Sequence, residues 1–164
     1  MNKKENSKLL NYTTEIEPIK TAGEIMGILA SKHAQAIMIE YERGEPTGLS
    51  FKLTVKEQEV FFKLPCNVDG AFAAMQRMNL PPRYVNKNQA KRTAWRIVKN
   101  WVEAQMAIID CGQAEMAEIF LPYAITNNGQ TFFQRMQQNP NRLLAAGDPE
   151  SEEPSNVIDI RRAS

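Results

Sequence analysis

Histidine is nearly absent from this chain: His33 is the only one in 164 residues. That excludes the common His-based metal sites. It leaves His33 as the sole candidate imidazole base, and its place at the end of a predicted helix favours a capping role. Cysteine is scarce as well. Cys66 and Cys111 cannot build a disulfide framework or a Cys-x-x-Cys zinc site, and both read as small, half-buried residues of a reduced intracellular chain. No apolar run approaches the roughly 18 residues of a membrane span. The start, Met1-Asn2-Lys3-Lys4-Glu5-Asn6, leads into no apolar segment of the secretory kind. No Gly-rich loop followed by Lys-Ser/Thr is present to cradle a phosphate. Together these absences favour a non-enzymatic, cytoplasmic protein without a cofactor or a membrane partner.

Hydrophobic residues make up 43% of the chain, enough for one ordinary domain with a real core. The periodicity predicts an α+β fold: a helix, a three-stranded antiparallel β-meander, then a helical C-terminal half with one long helix. Residues 1–11 read as a flexible arm, 12–140 as a single domain and 141–164 as an acidic, disordered tail. The first helix starts near Pro18 and Thr21, with Thr21-Ala22-Gly23-Glu24 in the form of a capping box, and runs to about His33. Ile25, Ile28 and Leu29 form its apolar stripe. The strands are Ala36–Tyr41, Leu49–Val55 and Val60–Leu64, with Gly44, Pro46 and Gly48 breaking the chain between the first two. After Pro65, a helix carries Val68, Phe72 and Met75, and Leu80-Pro81-Pro82 stops it. The long helix spans about 88–110. On its projection Trp101 lies near the centre of the apolar face and Trp95 at the edge. Trp95 is thus a candidate for boundary core or for a partner-facing anchor. Shorter helices follow at Glu115–Leu121 and Thr131–Gln138.

Acidic residues are missing from a whole segment. Between Asp69 and Glu103 the chain carries Arg77, Arg83, Lys87, Lys91, Arg92, Arg96 and Lys99 and no carboxylate. Arg92, Arg96 and Lys99 share one helical face, and Lys87 and Lys91 put the wrong sign at a helix N-terminus. Such a pattern suits an anionic partner. Arg83, Lys87, Lys91, Arg92, Arg96 and Lys99 are therefore candidate nucleic-acid or nucleoprotein contacts, for DNA or RNA, with Tyr84 available to stack on a base. The alternative is a face balanced by Glu15, Glu17 and Glu24. The overall charge of +1 is a cancellation between this segment and the tail. Asp148, Glu150, Glu152, Glu153 and Asp159 make residues 147–164 acidic. Val157, Ile158 and Ile160 within it form a candidate docking motif for a host or phage protein. A distant alternative is a Mg²⁺-dependent hydrolase built on Glu40, Glu42 and Asp69. The wide apolar face of the long helix also allows a homodimer.

Two resemblances follow from these elements. The order helix, three antiparallel strands, helix is similar to that of the double-stranded RNA-binding domain, and Lys87-Asn88-Gln89-Ala90-Lys91-Arg92-Thr93-Ala94 resembles the basic start of that family's second helix. An additional helix, Asn67–Met78, and a Pro-Pro turn intervene, and the family's Gly-rich strand loops are missing, so no RNA-binding residue is carried over. More of the chain, residues 11–137, resembles an uncharacterised family of small proteins carried by bacteriophages, prophages and other mobile elements of Gram-positive bacteria. The resemblance lies in Asn11-Tyr12-Thr13-Thr14-Glu15-Ile16, Ala36-Ile37-Met38, Lys63-Leu64-Pro65-Cys66-Asn67-Val68, the run Ala94–Gln105 and Leu121-Pro122-Tyr123. It implies a mobile-element setting, in which such proteins serve DNA transactions or inhibit host defence.

Overall fold

The computed structural model describes residues 8–140 and shows an α+β fold. Helix α1 (Pro18–Ser31) leads into strands β1 (Ala36–Glu42), β2 (Glu45–Val55) and β3 (Gln58–Lys63), which form an antiparallel sheet in the order β1-β2-β3. Helices α2 (Val68–Arg77), α3 (Lys87–Asp110), α4 (Met116–Phe120) and α5 (Phe132–Gln138) follow. The tail residues 141–164, with Val157, Ile158 and Ile160, lie outside the described residues, as do residues 1–7.

Helix α1 begins three residues before the expected Thr21 cap. Pro18 at its first turn sets the helical φ and gives up an N–H that no carbonyl awaits. Thr21 is therefore buried inside the helix, and its hydroxyl finds no partner. The far end closes on His33, which adopts φ +67°. The His33 N–H bonds the Ala30 carbonyl at 3.2 Å and the Ala34 N–H bonds the Leu29 carbonyl at 3.1 Å. These two bonds are a Schellman closure with histidine in the usual glycine position. The capping role expected of His33 is thus a backbone role, and its ring stays exposed.

The sheet is longer than its alternation suggested. Arg43 and Gly44, both at positive φ, make a two-residue turn of the kind that suits a right-twisted hairpin. Pro46 and Gly48 then lie within β2 rather than breaking it. The register shifts between Glu40 and Tyr41, where Tyr41 faces Pro46 and Glu40 faces Gly48, so Thr47 bulges from β2. A second tight turn, Lys56-Glu57, also uses two positive φ angles.

Leu49, Phe51 and Leu53 point from β2 into the main core with Ile25 and Leu29 of α1, Phe62 of β3 and Trp95, Val98, Val102 and Met106 of α3. Phe120 meets Phe51 edge-on at 5.2 Å, and Trp101 meets Phe120 edge-on at 5.5 Å. A smaller cluster, Ala71, Met75, Leu80, Ala90 and Ala94, joins α2 to the other side of α3. Leu9 packs onto it, so the domain reaches back into what reads as an N-terminal arm. Helix α3 is thus covered on two sides.

Among the described residues the opposite face of the sheet carries no helix. Met38 and Phe61 stand on it at 56% and 47% exposure. They are set among the cross-strand ion pairs Lys63–Glu40 and Lys52–Glu59. The far edge of β3 is closed: the Ile125 N–H bonds the Phe61 carbonyl at 2.7 Å, and Phe62 bridges Ala124.

Candidate functional site

The basic helix face exists, but its cations are paired at the surface with carboxylates of the same chain, most of them along the seam between α1 and α3. Asn86 caps α3 by accepting the Gln89 N–H at 2.9 Å. This cap starts the helix at Lys87 and sends Arg92, Arg96 and Lys99 toward α1. Arg92 reaches Glu17 through two nitrogens, at 2.8 and 2.5 Å. Arg96 pairs with Glu24, and Lys99 lies 4.0 Å from the same carboxylate and also pairs with Glu103. Lys91 pairs with Glu45, and Lys87 sits 2.5 Å from Asp69. Lys87 holds the Asp69 carboxyl below the usual carboxylate range, first by its hydrogen bond and then by its charge. Arg83 alone among the six candidates has no carboxylate partner in the described residues; its guanidinium lies 4.7 Å from the centre of the Tyr84 ring.

Of the three acids offered as balancing charges, Glu17 and Glu24 carry the seam, while Glu15 forms no ion pair among the described residues. Glu45 and Asp69 join them. Glu45 was not legible as a partner because Pro46 and Gly48 read as breaks; the hairpin they sit in carries Glu45 to the start of α3. The like-charge crowding of Arg92, Arg96 and Lys99 is thus relieved in cis. Arg96 and Glu24 are 17% and 32% exposed, between the surface and buried regimes. A double-mutant cycle on Glu24→Ala and Arg96→Ala is expected to give a coupling of about 1 kcal/mol that shrinks as salt rises. Urea titrations at two ionic strengths measure it.

Trp95 is a correction. It is 1% exposed, packed in the main core, and its indole N–H bonds the Pro46 carbonyl at 3.2 Å. It cannot serve as a partner-facing anchor. Trp101, expected at the centre of the apolar face, is only half-buried, against Phe120 and Tyr123. The reason is the double cover of α3: helices α1 and α2 together bury a wider arc than one apolar stripe marks out. Tyr84 is likewise occupied, edge-on to Tyr12 at 5.3 Å with Arg83 against its ring.

The carboxylates named for a metal do not converge. Glu40 pairs with Lys63 on the open sheet face, and Asp69 pairs with Lys87. Glu42 and Asp69 share a shallow cleft with Glu45, Cys66 and Lys91. Among the described residues no three His, Cys, Asp or Glu are grouped to hold a metal ion. Cys66 is half-buried and its thiol is pushed up to about 12 by burial, which keeps it protonated and unreactive. Cys111 is exposed rather than half-buried, because it caps the solvent end of α3.

Sequence reasoning missed Phe61. The signal was present, since adjacent Phe61 and Phe62 on a strand cannot both face one core. Among the described residues no helix is long and apolar enough to cross a membrane. Searches of family models, curated proteins and solved structures find no match to the chain.

Proposed function

We propose that this chain is a non-enzymatic binding module that engages a protein through the helix-free face of its sheet. The mobile-element setting implied by its resemblance would make it an inhibitor or adaptor inside the host cell. The observation that carries this reading is a contrast between two surfaces. Lys87, Lys91, Arg92, Arg96 and Lys99 are each neutralised by a carboxylate of the same chain. Phe61 and Met38, by contrast, stand exposed on a face that no element among the described residues covers. Phosphate contacts at the seam would have to displace ion pairs already made, whereas an apolar partner on the sheet would displace only water.

Nucleic acid is the second reading, favoured by one observation: Arg77 and Arg83 are exposed and form no ion pair among the described residues. Two measurements separate the readings. Anisotropy titrations with labelled DNA and RNA at low and moderate salt are expected to show no binding. Capture from host extract is expected to retain a partner with the wild type and to lose it with Phe61→Asp. Low-salt nucleic-acid binding that weakens steeply with salt and disappears with Arg83→Glu would overturn the proposal.

A further inference from the structure

We infer that the chain pairs with a second copy of itself through β1, joining two sheets into one of six strands. The two edges of the sheet are treated differently by the fold. Ala124 and Ile125 close β3, whereas no backbone hydrogen bond among the described residues reaches the outer side of β1. An open edge is a template for another strand, and proteins usually blunt it with Lys, Pro or a bulge. Strand β1, Ala-Ile-Met-Ile-Glu-Tyr-Glu, has neither Lys nor Pro. The bulged residue is Thr47 of β2, beyond Glu40, so Ala36–Glu40 is regular.

The ladder fixes which groups point outward. Leu64 N–H bonds the Leu49 carbonyl, so Leu49, Phe51 and Leu53 bond β3, and Gly48, Ser50 and Lys52 bond β1. Their β1 partners are Glu40, Met38 and Ala36. The N–H and C=O groups of Ile37 and Ile39 therefore face the open edge.

A second copy of this strand fits in a register centred on Met38. A two-fold axis through Met38 places Ile37 opposite Ile39 of the other copy, and Ile39 opposite its Ile37, as hydrogen-bonded pairs. On the outer face Met38 meets Met38, and Ala36 faces Glu40. No like charges oppose one another. Moving the axis to Glu40 would set glutamates face to face, which cross-strand pairing disfavours. Among the described residues Ile37 and Ile39 are only half-buried, and Met38 is the most exposed large hydrophobic residue of the strand. The pairing covers all three. It goes beyond the proposed protein partner, because the outer faces of the two sheets stay open, with a Phe61 on each.

The test uses the purified full-length protein alone, so it stands apart from any partner. Sedimentation velocity is expected to show a concentration-dependent dimer. Met38→Lys is expected to abolish it while the circular dichroism spectrum stays unchanged and the variant melts as the dilute wild-type monomer does, as befits an exposed site. In a Cys111→Ser background, Met38→Cys is expected to oxidise to a covalent dimer. The facing α-carbons of such a pair are about 4.5 Å apart, within disulfide range. Thr54→Cys, on the same face but away from the axis, should stay monomeric under oxidation. A protein that is monomeric at every concentration, or a dimer that survives Met38→Lys, overturns the inference.

Discussion

Replacing Trp95 with alanine is expected to remove about 3–5 kcal/mol of stability, the usual range for deleting a large buried aromatic. That is a large part of the 5–15 kcal/mol that holds an average domain together. Three losses add up at this site. The indole leaves a cavity between α1, α3 and the sheet. The Pro46 carbonyl loses its donor. The bulged start of β2 loses its link to α3. Urea unfolding followed by circular dichroism should show a much lower midpoint or no cooperative transition. Trp95→Phe keeps most of the volume and should recover much of the loss. If Trp95→Ala unfolds like the wild type, the assignment of Trp95 to the core is wrong.

The second large effect belongs to Gln89. Its side chain is buried, and its amide N–H₂ donates to the Tyr12 carbonyl at 2.9 Å and to the Thr14 carbonyl at 2.7 Å. One side chain thus ties the segment before α1 to the long helix. Gln89→Ala leaves both part-buried carbonyls without that donor, and the full cost of an unpaired buried group, about 1–3 kcal/mol, is the upper limit for each. Gln89→Glu is the sharper probe. It keeps the shape of the side chain and an oxygen toward Arg92, whose guanidinium lies 3.4 Å from the Gln89 side-chain oxygen, but as a carboxylate it has no N–H for the two carbonyls. It is therefore expected to lose about as much stability near neutral pH as Gln89→Ala, which assigns the loss to the missing donor rather than to missing volume. Denaturant titrations of both variants and the wild type measure it.

The fold was largely legible from periodicity. Alternation in Leu49–Val55 set the sheet face, and the apolar stripe at Ile25, Ile28 and Leu29 set the buried side of α1. The long helix was visible from Asn88 to Asp110, one residue short of its start. Elements went wrong where a local signal had two meanings. Thr21 had the spacing of a cap, but Pro18 began the helix first. Pro46 and Gly48 looked like breakers, yet a bulged strand accommodates both. The basic run was real, and its reading turned on something that one-dimensional sequence does not contain: which carboxylates lie across from it. Glu24 and Arg96 are 72 residues apart along the chain. Phe61 shows the reverse case: strand alternation was enough to put it outside the core, and the signal was not used.

The separation between α1 and α3 also has a consequence during synthesis. The hairpins close through two-residue turns and α2 docks on the neighbouring α3, so most of the molecule can form from nearby contacts as the chain grows. Helix α1 is the exception. It emerges from the ribosome before the sheet, but the Arg92, Arg96 and Trp95 surface that receives it emerges only when α3 does. Until then Ile25 and Leu29 have no complete core to enter. Nascent chains stalled before α3 has left the exit tunnel should hold these residues open to chaperones, and chains stalled after it has emerged should not.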